Sequence, residues 1–507
     1  MLDARIRPAM SDATSRSKLD GLVALALGLA FFGLYLLTLC RTVFWYDSAE
    51  YVTAAVTLGI PHPPGYPLYT IIGHLFTWLP VEPAVAVNAM SATFAAVAVA
   101  LTYLVCRRLD LDRAPSTVGA ATLGGGQLFW ANAVVAEVYC PALAVVALVL
   151  YLLLRARQQG RFGLVALAAL IAGLGLGIHL SIATFGLGFA LLVWAGETPV
   201  ERPSDLGALA AGSELPARLR RSLAAAGMAF LGSLIFLYLP LRAAQKPPLN
   251  FGDPSTYERF KWVIRGGTYK GWFLEEFDFL PRALAIADAF AEQLHLAGVV
   301  LAMLGLFWLW KRRPLETLAL LLMAAGNIGF FFRYEVHDLA VFFLPTTLVL
   351  CCFVGAGAQA LIALVANAVT EQRAPAMRRL LQGALLAFAA ALALGNYRAV
   401  DMSDFNETEK FIAAMADTLP NDAIILNFTT PPEWKLDAVF GMYVQMVLEE
   451  RTDVDVVVPT APGVVESAMQ SGRPVYTYVP VAQLARQFEL VPDGPIFRVS
   501  GPRNASP

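Results

Sequence analysis

Charge is scarce in this chain. Only 15% of its 507 residues are Asp, Glu, Lys or Arg, and 57% are hydrophobic. Soluble globular domains carry roughly a quarter charged residues, so the departure runs toward a protein that lives in lipid. The 37 basic and 39 acidic residues nearly cancel, to a net charge of −2. With no basic surplus to displace counterions, a nucleic-acid partner is excluded as an expectation. Cysteine is sparse too. Cys40, Cys106, Cys140, Cys351 and Cys352 form no CxxC pair and lie in or beside apolar runs, which suits small buried hydrophobes better than zinc ligands or disulfides. No Walker A loop, dinucleotide-binding glycine turn, HExxH or GxSxG elbow occurs in a fitting context. ATP-driven transport and nicotinamide chemistry therefore have no support.

What the chain does have is long apolar runs. Candidates lie near residues 20–40, 86–106, 117–136, 138–154, 162–178, 180–195, 222–241, 295–310, 315–332, 339–363 and 380–396, about eleven spans, several at the short end of what a bilayer needs. The first reads as an uncleaved signal anchor behind a cytoplasmic tail, residues 1–19. The apolar stretch 66–79 is bounded by proline and too short to cross, so it is expected to lie in the interface or re-enter. With it left out, Arg5, Arg7, Arg16 and Lys18 share one side with Arg107, Arg108, Arg113, Arg155, Arg157 and Arg161. Arg218, Arg220, Arg221, Lys311, Arg312, Arg313, Arg373, Arg378 and Arg379 fall on that side as well. The positive-inside rule then makes it the cytoplasm.

The opposite side receives the first loop (41–85), the turns at Glu137 and His179, the long loop 242–294, the turn 333–338 and everything after 397. The 20–396 portion is thus one transmembrane domain whose unusual polar residues meet at one face. The loop 242–294 is too long for a plain connection and rich in Pro, Gly and aromatics, which suggests an ordered, functional loop; Ser255 and Glu258 stand at capping-box spacing for a helix start. Residues 397–507 alternate strand-like AIILNF, VDVVVP and PVYTYVP with helical stretches, the pattern of a small α/β domain with a partly parallel sheet.

The first loop carries the densest chemistry. Asp47 and Glu50 stand three apart and share a helix face, and the HPPGYP turn follows with His62 and Pro64. Carboxylates beside a membrane are costly to desolvate and are functional candidates by default. They suit general-base removal of a hydroxyl proton or ligation of a divalent metal; a helix cap with Asp47 at N-cap and Glu50 at N3 is the plainer alternative. Glu137 and His179 lie at turns on the same side. Arg333, Glu335, His337 and Asp338 crowd one short turn, and the long loop offers Arg242, Lys246, Arg265 and Lys270; these cations suit a phosphate-bearing ligand.

The stretch Tyr46–Glu50 followed by LGIPHPPGYPLYTIIG resembles the first external loop of a family of bacterial membrane proteins of formerly unknown function. That family is related to a transmembrane protein O-mannosyltransferase, and both belong to the GT-C glycosyltransferases. AEVY (136–139), GLGLGIHLS (173–181), NFGDPSTYERFKW (250–262), DLAVFFLP (338–345) and ERTDVDVVV (450–458) extend the resemblance along nearly the whole chain. Two departures stand out: Ala49 replaces a glycine of the family's acidic motif, and NFTTPPEWKLDAVF lacks the family's acidic turn.

The resemblance implies a polytopic α-helical GT-C-like membrane protein with a small C-terminal α/β domain. It implies hexosyl transfer, with mannose one candidate, from a polyprenyl-phosphate donor to a hydroxyl on a protein, lipid or glycan acceptor. The reaction would invert, with Asp47 as general base and Glu50 as a second catalytic carboxylate. His62, Pro64, Glu137, His179, Arg242, Arg265, Arg333 and His337 would line the substrate site. No cofactor is required with certainty; a divalent metal is left open. The expected location is a bacterial inner membrane, multi-pass, with the N-terminus cytoplasmic and the C-terminal domain periplasmic. The rival expectation is a transporter or flippase for a lipid-linked intermediate, which should show paired broken helices near mid-membrane.

Overall fold

The computed structural model describes residues 10–196, 215–274, 276–336, 338–426, 440–457 and 463–502. Long helix α1 (Met10–Leu37) is followed by two short ones, α2 (Ser48–Thr57) and α3 (Pro67–Phe76). After α4 (Pro83–Arg108), a broken pair, α5 (Arg113–Gly125) and α6 (Gln127–Ala133), is split by extended backbone at Gly126. Next come α7 (Tyr139–Gln159), α8 (Phe162–Gly175), α9 (Gly186–Ala195), α10 (Leu215–Ser233), α11 (Tyr238–Ala243) and α12 (Tyr257–Ile264). Helices α13 (Phe279–Arg312), α14 (Pro314–Phe331), α15 (Leu344–Ala368) and α16 (Ala374–Val400) complete the bundle.

Among the described residues, eight helices are long and apolar enough to cross a membrane. The expected spans 117–136, 162–178 and 180–195 fall instead on shorter pieces: α5 with α6, α8, and a 3-10 turn (Leu180–Phe185) running into α9. Gly126 and the glycine-rich end of α8 interrupt them. The stretch 66–79 is the ten-residue α3, as its length requires. The end of the expected 242–294 loop, from Phe279 on, is already helix, because FLPRALAIADAFAEQL is built from good helix formers; α13 then bends at His295 (φ 53°). The cap of α12 is Thr256, which accepts from the Arg259 N–H, one residue later than the Ser255–Glu258 box predicts.

Helix α7 is mostly buried at the centre of the bundle, whereas α1, α10 and α16 are mostly unburied and present apolar side chains outward. Close helix contacts use small residues. A side chain on Gly305 would collide with the Phe353 carbonyl, and one on Gly357 with that of Leu301, so α13 and α15 pack backbone to backbone. All five cysteines are buried free thiols.

Beyond α16 lie α17 (Glu407–Thr418), α18 (Phe440–Met446), α19 (Val464–Gln470) and α20 (Ala482–Gln487). With them come β1 (Ile424–Leu426), β2 (Asp455–Val457), β3 (Val475–Thr477), β4 (Phe488–Asp493) and β5 (Ile496–Pro502). The sheet order is β2-β1-β3-β5-β4. Strand β1 pairs in parallel with β2 and β3, and the β4–β5 hairpin closes the sheet antiparallel. The three parallel strands sit where the apolar runs predict them; the hairpin was not foreseen. The stretch 427–439, with most of NFTTPPEWKLDAVF, lies outside the described residues.

Candidate active site

The first loop is fixed before it reaches the carboxylates. Asn88, fully buried on α4, donates its amide to the carbonyls of Cys40 (2.9 Å) and Thr42 (3.0 Å). Tyr46 then turns the chain through a left-handed conformation (φ 62°), and α2 begins with Asp47 at the N-cap position. Its side chain makes no capping hydrogen bond, so the capping alternative fails at Asp47. It fails at Glu50 as well, whose carboxylate turns away from the start of α2. Glu50 Oε1 accepts from the His62 backbone N–H (2.7 Å), and Oε2 meets His62 Nδ1 in a short hydrogen bond.

His62 is delivered by the HPPGYP turn. The Pro63–Pro64 peptide is cis and Pro64 is buried. Gly65 adopts φ +88° with Leu239 crowding its face, which no side chain would tolerate. The far edge of the imidazole, Nε2, lies 2.9 Å from the Tyr66 hydroxyl and 3.9 Å from Asp47 Oδ2. Accessibility separates the two carboxylates: the Asp47 side chain is 44% exposed and that of Glu50 1%. Asp47 can meet a substrate; Glu50 cannot without leaving His62.

Other chain segments converge on this trio. Tyr66 stacks on His179 (6.0 Å, 18° between planes), and Tyr139 and Phe342 pack on the other edges of that imidazole. His179 Nδ1 accepts from the Ser181 N–H (3.2 Å) and pairs with its hydroxyl (2.6 Å). Burial, then the nearby His62, push its pKa down to about 4, so His179 is neutral at neutral pH. Glu137 is held well above the usual carboxylate range, first by burial and then by the charges of Asp47 and Asp338. Tyr269, in a 3-10 turn (Gly267–Trp272), sets its ring edge-on to His62 at 6.2 Å and contacts Trp272, which leans on Tyr334.

The predicted cations behave differently. Arg242 donates to the carbonyls of Thr57 (2.9 Å) and Leu58 (2.7 Å), closing the C-terminal end of α2. Arg333 is exposed and donates to the Leu274 carbonyl (2.9 Å), tying the long loop to the 331–334 turn. Arg265 ends α12 on the surface. His337 lies outside the described residues. The structure thus brings together Asp47, Glu50, His62, Pro64, Glu137 and His179, and gives Arg242 and Arg333 backbone carbonyls to hold. The sequence reading missed Tyr66 and Tyr269 as members of the site; the tyrosine inside the HPPGYP turn and the aromatic richness of the long loop were the available signals.

Ligand atoms of Asp47, Glu50 and His62 lie within 4.8 Å of one another. A metal on all three would have to replace the Glu50–His62 hydrogen bond, so the arrangement reads as a hydrogen-bonded carboxylate–imidazole pair beside an accessible aspartate.

Residues 47–199 match the family described as the Protein O-mannosyl-transferase TMEM260 N-terminal domain. Over that segment the chain is similar to this family. The Protein O-mannosyl-transferase TMEM260 of Mus musculus is 26% identical over 423 residues, covering 77% of this chain and 57% of the mouse protein. The chain therefore spans little more than half the length of that curated relative. Among solved structures, ArnT from Cupriavidus metallidurans in the apo state superposes with a TM-score of 0.58 at 13% identity, covering 97% of this chain and all of ArnT. The same protein bound to undecaprenyl phosphate gives 0.57 at 14% identity, covering 95% and 99%. The likeness to ArnT extends to the whole fold, C-terminal unit included. The polytopic helical architecture with a small C-terminal α/β unit that the sequence predicted is what is seen, and its fold is like that of ArnT.

Proposed function

We propose that this protein is a membrane glycosyltransferase that moves a sugar from a polyprenyl-phosphate donor to an acceptor hydroxyl. The observation that carries the reading is the accessible Asp47 beside the Glu50–His62 pair, at the start of the segment matched to the O-mannosyltransferase family. The undecaprenyl phosphate in one of the ArnT structures supports a donor of that chemical class, and relation to an O-mannosyltransferase supports a hydroxyl acceptor, with mannose the first sugar to try.

In the step itself, Asp47 takes the acceptor's hydroxyl proton as the oxygen bonds to the anomeric carbon. The bond from that carbon to the donor's phosphate oxygen breaks, and the phosphate leaves with the electron pair. One in-line displacement inverts the anomeric centre. The part-buried rings of Tyr269 and Trp272 offer faces for a sugar, and the aromatic surroundings limit competing water. The basic loop residues support a cytoplasmic location for the helix ends opposite Asp47, and with it transfer on the far side of the membrane, in a bacterial cell the periplasmic face of the inner membrane. The transmembrane domain of 20–396 and the external unit of 397–507 then both face the acceptor.

The test is transfer of radiolabelled sugar from polyprenyl-phosphate mannose, and from the corresponding glucose donor, by purified full-length protein in liposomes with peptide or lipid acceptors. The Asp47→Asn variant should lose about 100-fold or more in turnover while keeping its melting midpoint, since the side chain is accessible. A fully active variant would remove Asp47 from the role of base. Movement of donor across the membrane with no covalent transfer would replace the enzyme with a flippase.

A further inference from the structure

Glu50 looks like half of a catalytic carboxylate pair in sequence, but its geometry is that of a group serving another residue. Both oxygens are committed to His62, one to the backbone N–H and one to Nδ1, and the side chain is 1% exposed. The helix that carries it is held along its length. Residues Ser48 to Ala55 of α2 are buried, and Arg242 and the Tyr238 hydroxyl bind the carbonyls at its C-terminal end. A carboxylate can only accept hydrogen bonds, so the ring hydrogen is assigned from this network to Nδ1. The Nε2 lone pair is then left facing the Tyr66 hydroxyl (2.9 Å) and the Asp47 carboxylate (3.9 Å).

Resting on the glycosyltransferase reading, we propose that Glu50 is a positioning residue that fixes the tautomer and orientation of His62, making His62 Nε2 the acceptor that relieves Asp47 of the proton it takes from the substrate. The protons balance: the acceptor hydroxyl's hydrogen passes to Asp47 Oδ2 and from there to Nε2. The resulting imidazolium, flanked by Glu50 and Tyr66, returns it to solvent or to the departed phosphate after product leaves. The 3.9 Å separation is closed by rotation of the accessible Asp47 side chain, whereas the buried Glu50 keeps the imidazole still. Carboxylates that orient an imidazole in this way matter through tautomer choice as much as through charge.

The experiment uses full-length protein in lipid bilayers with nitrogen-15-labelled histidine, His62 being assigned by the signal lost in His62→Gln. Solid-state NMR should show wild-type His62 with hydrogen on Nδ1 and a bare Nε2. In Glu50→Gln the amide can donate to Nδ1, so the hydrogen should move to Nε2, and kcat should fall about 100-fold or more with KM little changed. Glu50→Asp, which restores a carboxylate, should recover part of kcat. A wild-type His62 carrying its hydrogen on Nε2 would overturn the proposal even if no variant folds. So would a Glu50→Gln protein with unaltered tautomer and kcat. If the wild type transfers no sugar from any lipid-phosphate donor, the glycosyltransferase reading fails by itself, and the tautomer shift still decides the positioning of His62.

Discussion

Glu50 and Asp455 are both carboxylates set against a nitrogen base, and the molecule treats them in opposite ways. Glu50 is closed off from solvent and divided between two nitrogens of one residue twelve positions away. Asp455, at the start of strand β2, meets Arg473 with 61% of its side chain in solvent, and Asp422 shares the same guanidinium at 2.9 Å. The exposed cluster can exchange its partners for water at little cost, so it holds surface together only loosely. The buried pair has no such substitute, and losing one member would strand the other. Similar charges therefore mark the proposed functional centre in one region and ordinary surface in the other.

Trp45 joins the two regions and gives the strongest way to test how separate they are. It stands two residues before Asp47, stacks on Phe440 of α18 (6.3 Å, 29°), meets Phe411 edge-on at 6.0 Å, and donates its indole N–H to Glu407 (3.2 Å). Thr408 also donates to the Val43 carbonyl (2.7 Å). The C-terminal unit thus holds the backbone just upstream of the proposed base. Trp45→Ala should cost about 2 kcal/mol, less than a fully buried Trp because the ring is only part-buried, and should lower turnover about tenfold through misplacement of Asp47. Melting curves and sugar-transfer rates check both. Unchanged turnover would mean that the C-terminal unit is an attachment with no hold on the site.

The first loop was legible in sequence because everything that defines it is local: Asp47, Glu50 and His62 lie within one short helix and the turn after it. Glycine and proline at Gly65, Pro63 and Pro64 announce that turn. Distance defeated the rest. Nothing near Arg242 in the sequence shows that its guanidinium closes α2, since its partners are Thr57 and Leu58, more than 180 residues away. Arg333 offers the same lesson, a cation that seemed free for phosphate until the fold brought the Leu274 carbonyl to it. Span counting read apolar content well, yet hydropathy cannot see that Gly126 breaks one run into α5 and α6. The difference between Asp47 and Glu50 was hidden for a related reason: spacing puts both on one face, but only packing shows which of them reaches solvent.

A smaller effect probes the edge of the site. Glu137 is held above the ordinary carboxylate pKa by burial and by Asp47 and Asp338. A raised folded-state value means that its neutral form contributes stability fully below the unfolded pKa near 4.5 and loses it as pH rises through the folded value. The wild-type melting midpoint should therefore decline from about pH 4.5 upward, and Glu137→Gln, which cannot ionise, should flatten that decline. Melting midpoints of both proteins across that range decide it. Parallel curves would show that Glu137 ionises as freely as a surface carboxylate and takes no part in the charge balance around Asp47.

The smallest effect belongs to the exposed cluster. Arg473→Gln removes the cation shared by Asp422 and Asp455, along with hydrogen bonds to the Asp422 (2.8 Å) and Ala423 (3.3 Å) carbonyls. Asp422 is exposed, so its carbonyl can turn to water, the buried Ala423 carbonyl keeps the Asp455 N–H (3.0 Å), and β1 keeps its pairing to β2 and β3 through backbone bonds that the substitution does not touch. Transfer activity should equal the wild type's, and the melting midpoint should move less than it does in Trp45→Ala. A large loss of activity here would mean that surface charge on the sheet reaches Asp47 through α18 and Trp45. The two regions would then be one cooperative unit, whatever their difference in burial.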